Sequence, residues 1–337
     1  MPLTTANFSI CPSIFLSRIR IRSPSPKFPP RFSQFSISRP NLTSPSAAML
    51  LPQNPVLSDV CASAVSAAVA ASSLRLWEET ARRDLFDQKL NRKLVHISIG
   101  LVFMLCWPLF SSGPRGAILA SLTPGVNIIR MLLVGSGMWK DEATVKSMSR
   151  YGDRRELLTG PLYYAITITL ACVIYWRNSP NGIAAICNLC AGDGFADVVG
   201  RRFGKRKLPY NQNKSIAGSC AMASAGFLSS IGFMYYFFSF GYMQCSWELV
   251  FGFLVVSLAS ALVESLPIST KLDDNLTITI TSMAMFYTLT KCSGDSTNAV
   301  AVLKVLKVYE LVMGILLHGE QKFVRTNLLR SILGNFI

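Results

Sequence analysis

From about residue 56 onward the chain alternates long apolar stretches with short polar ones, at approximate limits 56–77, 95–112, 116–139, 160–176, 181–200, 216–242, 247–270 and 275–290. Most approach the roughly 20 residues that a helix needs to cross a bilayer, although some are short or interrupted by Gly and Pro. The pattern predicts an all-α, polytopic integral membrane protein with about seven or eight transmembrane helices. The polar intervals alternate in charge. Residues 78–94 hold five Lys and Arg, 140–159 five and 201–215 six, whereas the intervening loops hold only Arg115, Arg177 and none. Such alternation is expected if every stretch crosses and the basic loops share one face.

Composition agrees with this reading. Half of the 337 residues are hydrophobic and 15% are charged, against about 25% in soluble domains, and mean hydropathy is +0.38. The net charge of +15 raises the question of a nucleic-acid partner. Residues 1–58 contain six basic and no acidic residues, and residues 1–46 contain ten Ser and eight Pro without a continuous apolar core. That is the composition of a disordered transit peptide for plastid import rather than a secretory signal. Three regions follow: a chloroplast transit peptide over 1–55, a transmembrane domain over 56–290, and a tail over 291–337 in which Val300–His318 reads as an amphipathic interfacial helix. Cleavage would remove six charges and leave +9. The remainder mark a membrane face, the stromal one in a plastid, so nucleic acid is not needed to explain them.

Ionisable groups inside apolar spans are costly and usually functional. Asp193 and Asp197 stand four residues apart on one helix face, toward the basic side of the fifth span. Glu264 approaches the same side from the seventh span, and by parity Asp273 and Asp274 face it too. Carboxylates beside Lys and Arg at a membrane surface suit Mg²⁺ and phosphate, the metal taking one or two carboxylates and the cations holding the remaining oxygens. Gly192 and Gly194 would allow a broken helix to carry Asp193. Gly200 and Gly204 would permit close approach of backbone to a ligand, or simply close helix packing. Lys214 precedes Ser215, which can cap the sixth span and present a helix N-terminus to phosphate. Arg130, deep in the third span, is expected to snorkel or pair. The spacing Cys187-x-x-Cys190 lies in an apolar run and points to neither metal nor redox chemistry.

The combination of Asp193-x-x-Ala196-x-x-x-Gly200-x-x-x-Gly204 with Lys214-Ser215-x-x-Gly218 resembles the nucleotide-binding region of the CTP-dependent polyprenol kinases. The stretches 87–96, 152–164, Leu208-Pro-Tyr210, 264–267 and 273–277 are similar to the plant plastid phytol and farnesol kinases, farnesol kinases being the nearer. The resemblance implies transfer of a phosphoryl group from CTP to an isoprenoid alcohol such as phytol, farnesol or geranylgeraniol, in phytol salvage and tocopherol synthesis or in farnesol metabolism. It further implies that Asp193 and Asp197 hold Mg²⁺ or position the alcohol, and that Arg201, Arg202 and Lys214 neutralise phosphate. Gly200, Gly204, Ser215 and Gly218 would border the nucleotide, and Glu264, Asp273 and Asp274 would supply a further ligand or base. Two other readings use the same groups: a membrane cytidylyltransferase forming a CDP-lipid, and an anion transporter built on a broken fifth helix.

Overall fold

The computed structural model describes residues 54–267 and 273–292; the expected transit peptide and the amphipathic stretch Val300–His318 lie outside them. Ten α-helices occur among the described residues: α1 (Pro55–Arg82), α2 (Gln88–Leu105), α3 (Pro114–Ser136), α4 (Glu142–Met148), α5 (Gly160–Ile174), α6 (Pro180–Cys187), α7 (Asp193–Phe203), α8 (Ile216–Ser239), α9 (Trp247–Ser265) and α10 (Asp274–Cys292). A small antiparallel hairpin, β1 (Lys207–Leu208) and β2 (Asn211–Ser215), precedes α8. Seven segments are long and apolar enough to cross a membrane: 55–82, 88–109, 114–136, 154–174, 180–203, 216–239 and 247–265. The chain is thus a polytopic, all-α membrane protein. The expected eighth stretch, 275–290, is helical as α10 and packs on α9, α6 and α5.

Several boundaries differ from those read off hydropathy, each for a local reason. Helix α2 starts at Gln88 rather than 95, because its polar first turns face a cavity, which Lys93 lines, and neighbouring helices, where Asn91 donates to the Trp77 and Ser147 carbonyls, instead of ending the helix. Helix α9 stops at Ser265 rather than 270: Leu266 precedes Pro267 and is extended, with ψ 150°, as the proline ring requires of its neighbour. The interval 140–159, expected as a loop, contains α4 and a 3₁₀ turn at Arg154–Leu158. Asp141 and Asp153 start these two turns by accepting the Thr144 and Arg155 N–H groups.

The fifth span is the axis of the molecule. It is continuous rather than broken: α6 passes through a π turn, Asn188–Gly192, directly into α7, and 78% of its apolar window is buried. Around it packs one large core that includes Trp107, with Trp176 and Phe237 at centroid distances of 5.2 and 5.9 Å. Arg177, on the sparsely charged side, is drawn inward. Its guanidinium donates to the carbonyls of Trp107, Pro108 and Phe110 and lies 3.8 Å from the Tyr242 ring centroid. The start of α2, the 149–153 loop, the end of α7, the hairpin and the start of α10 meet at the opposite end, around one cavity.

Candidate active site

The π turn shapes the floor of this cavity. The Asp193 N–H reaches back to the Asn188 carbonyl, one residue further than in an α-helix. The Leu189 carbonyl accepts instead from His96 Nε2, at 2.9 Å. At the first position of α7, Asp193 points inward and is 4% exposed. Its Oδ2 accepts from Lys93 Nζ at 2.7 Å and lies 3.3 Å from His96 Nε2. Both neighbours of Nε2 are acceptors, which puts the ring hydrogen on that atom. Lys93 and His96 are three residues apart on one face of α2, so a single helix supplies both partners. The Tyr164 hydroxyl donates to the His96 carbonyl at 2.6 Å and its ring stacks 4.3 Å from the imidazole, fixing that turn.

The second half of the floor is brought in by the hairpin. The Tyr210 hydroxyl and Ser265 Oγ are 2.9 Å apart, and Asn211 Nδ2 donates to the Ser265 carbonyl at 3.0 Å. These bonds clamp the hairpin to the end of α9 and set Lys214, two residues before α8, beside Glu264. Lys214 Nζ donates to Glu264 Oε1 and, at 3.2 Å, to Asp274 Oδ2. One carboxylate oxygen from each of Asp193, Glu264 and Asp274 lies within 4.8 Å of the others. Burial alone would lower the Lys214 ammonium, but the Glu264 and Asp274 carboxylates outweigh it and hold its pKa above the ordinary lysine range. Asp273 caps α10 by accepting the Asn275 N–H at 3.0 Å. Its pKa is pushed up by burial, which the Asn275 hydrogen bonds only partly offset.

The cavity above these groups measures about 910 Å³ and is lined by residues of both signs. Among the expected residues, Asp193, Asp197, Gly200, Arg201, Gly204, Lys214, Ser215, Gly218, Glu264, Asp273 and Asp274 border it. Arg202 does not; its guanidinium lies over the Phe203 ring, 5.9 Å from the centroid. Asp197 is at the rim in an ion pair with Arg201 one turn on, away from the three converging acids. Ser215 caps α8, accepting the Gly218 N–H at 3.1 Å. The three glycines let α7 lie against the start of α8. A Cβ at Gly218 would meet the Ala196 carbonyl at 2.9 Å, and one at Gly204 would press on Gly200 and Ser215. Arg130 is paired, with Glu78 and Asp141 each at 2.8 Å.

Four further cavity residues, Arg92, Lys93, His96 and Ser219, are not among the expected site residues. Lys93 and Arg92 look like topology charges, and only the three-residue spacing of Lys93 to His96 hints at a shared target. His96 itself is ambiguous in sequence, and Ser219 is one serine among many. Ser219 Oγ and Asp274 Oδ1 are buried without a hydrogen-bond partner, and both residues line the cavity. Such groups mark places where a bound ligand completes the bonding.

Fold and site together define a membrane-embedded protein with an acid and ammonium cluster beneath a polar cavity at one bilayer face. The chain is 61% identical to farnesol kinase, chloroplastic, of Arabidopsis thaliana, over 83% of its length and 89% of the relative's. It is 68% identical to probable phytol kinase 3, chloroplastic, of Glycine max, over 69% of the chain and 73% of the relative, and 39% identical to phytol kinase 1, chloroplastic, of Arabidopsis thaliana, over 69% and 77%. It belongs to the family of plant chloroplastic farnesol and phytol kinases. No family model matches the sequence, and no solved structure matches the fold.

Proposed function

We propose that the protein is a kinase of plastid membranes that transfers the γ-phosphoryl group of CTP to the hydroxyl of an isoprenoid alcohol, farnesol, phytol or geranylgeraniol, yielding the prenyl monophosphate and CDP. Its basic loops face the stroma, and its product enters phytol salvage toward tocopherol or farnesol metabolism. The observation that carries the reading is the meeting of Asp193, Glu264 and Asp274 with Lys93 and Lys214 on the floor of a cavity large enough for a nucleotide. The family membership supports the acceptor class.

The donor set fits Mg²⁺: three carboxylates against two lysines leave one negative charge in excess, all ligand atoms are oxygens, and Asp274 Oδ1 has no other partner. Asp193, Glu264 and Asp274 would hold the ion; Asp197, proposed with Asp193 from sequence, lies outside this cluster and serves better to orient Arg201. When bound, Mg²⁺ neutralises charge building on the phosphoryl oxygens. Lys93, Lys214 and Arg201 hold the triphosphate, the capped N-terminus of α8 adds its positive dipole end, and Ser219 offers a hydroxyl. An alcohol is a weak nucleophile, so the rate comes mainly from alignment and charge neutralisation rather than from a strong base.

The test supplies CTP labelled in the γ-phosphate to membranes containing the protein and each alcohol. Label in a prenyl monophosphate is expected, and Asp193→Asn should abolish it while the protein stays inserted. Label transfer to none of the alcohols overturns the reading. Incorporation of an α-phosphate label into lipid would favour CDP-lipid formation instead.

A further inference from the structure

A second cavity, about 520 Å³, lies between α1, α2, α3 and α5. Its walls are the small side chains of Ala67, Ala70 and Ala71 on α1 with Leu122 on α3, Phe103 on α2 and Ile168 on α5. The charges at one rim already satisfy one another: Arg130 donates to Glu78, Asp141 and Thr144. Arg75, the remaining charge on the lining, is exposed, and the interior suits an apolar ligand. Pro124 inside α3 borders the space; lacking an N–H, it leaves a gap in the helix ladder at that wall.

This cavity and the polar one are bridged by a third, smaller space that shares lining residues with each. Leu74, Ile99, Asn127 and Tyr164 line the apolar cavity and also a narrow space of about 40 Å³, whose other side is Arg92, Lys93 and His96. Those three residues line the polar cavity above the acid cluster. Within the throat Asn127 Oδ1 is buried and has no hydrogen-bond partner. An unpaired acceptor at this passage favours a chain that ends in a donor over a plain hydrocarbon.

We infer that the α1–α2–α3–α5 cavity holds the isoprenoid chain of the acceptor, with its hydroxyl directed through the Asn127, His96 and Tyr164 throat toward Asp193. This rests on the kinase reading above and extends it to the chain-length determinant. The α1 wall sets how long a chain fits, so Ala70 is a specificity residue rather than a catalytic one. A phospholipid acyl chain in the same space is the rival occupant.

Two measurements test this. In Ala70→Phe the wall moves inward, and kcat/KM for geranylgeraniol relative to geraniol is expected to fall by about tenfold or more, since pocket contacts of this size discriminate by about 10 to 200-fold. An active variant whose ratio stays within about twofold of the parent overturns the assignment. Independently of that variant's folding, the unmodified protein in vesicles is photolabelled with a diazirine-bearing farnesol. Adducts on the cavity walls, residues 67–74, 99–103, 122–127 or 164–168, suppressed by excess farnesol, are expected; adducts confined to helices other than α1, α2, α3 and α5, or suppressed only by added phospholipid, overturn it. Farnesol-suppressed labelling of this wall by a protein that phosphorylates no alcohol would leave the cavity standing and remove the kinase reading.

Discussion

The pair Lys93–Asp193 offers a separation of stability from chemistry. The two side chains are 10% and 5% exposed and 2.7 Å apart. At an effective dielectric constant near 20 their attraction is about 6 kcal/mol, but burying each ion costs several kcal/mol, so the intact pair is close to neutral for stability. Removing one partner is different. Lys93→Met leaves the Asp193 carboxylate buried with His96 as its remaining close donor and the Glu264 and Asp274 carboxylates nearby, and such orphaning costs about 3–5 kcal/mol, on the order of 10 °C in melting temperature for a domain of this size. The double variant Lys93→Met with Asp193→Leu buries no charge from the pair and should recover most of the loss while remaining without phosphoryl transfer. The assay can use the protein's own thiols: Cys106, Cys172, Cys187 and Cys190 are buried and free, so a thiol-reactive fluorophore in detergent reports unfolding as they emerge. A single variant melting within about 2 °C of the parent, or a double variant as unstable as the single, would refute the reasoning.

Two further outcomes are expected. Gly218→Ala places a methyl 2.9 Å from the Ala196 carbonyl and 3.1 Å from Ser215 Oγ, so α8 must retreat from α7; overpacking of this kind costs about 1–3 kcal/mol, and thermal melting should fall together with affinity for CTP, whereas a loss of neither contradicts the packing role. Asp273 has a raised pKa from burial, so its folded form holds a proton more tightly than the unfolded chain, and its contribution to stability declines as pH rises from the ordinary carboxylate range through the raised value. Asp273→Asn keeps a capping oxygen and should flatten that part of the melting-temperature profile; a profile with the parental slope would count against a buried, charged Asp273.

Much of the architecture is legible in the sequence because bilayer crossing is a local property. A run such as 216–242 declares itself whatever its neighbours do, and the alternation of basic loops follows from the same rule. The limits of elements are less visible. In α2 the turns holding Arg92 and Lys93 read as loop by polarity, yet they are helical because a polar cavity, not lipid, faces them. The site divides in the same way. Asp193, Glu264 and Asp274 stand out as acids near one surface, and the structure gathers them. Asp197 stands out equally, but its nearest cation is one turn away on its own helix, so Arg201 takes it. Lys93 carries no local signature beyond its three-residue spacing to His96; its pairing with Asp193 exists only because α2 crosses beside α7. The hairpin is invisible to hydropathy, and so is the clamp from Tyr210 and Asn211 onto Ser265 that sets Lys214 between two acids.

The π turn at Asn188–Gly192 means that this centre is tuned by chain length as well as by residue identity. Each residue of an α-helix advances about 100° around the axis, and the wide turn accommodates one residue more than a regular helix would over the same rise. Excising one of those five residues would let α6 and α7 merge into a regular helix with Asp193 nearly in place, but would close the wide turn that leaves the Leu189 carbonyl to His96 Nε2. A one-residue deletion there is therefore expected to cost the contact that anchors His96 rather than the placement of Asp193.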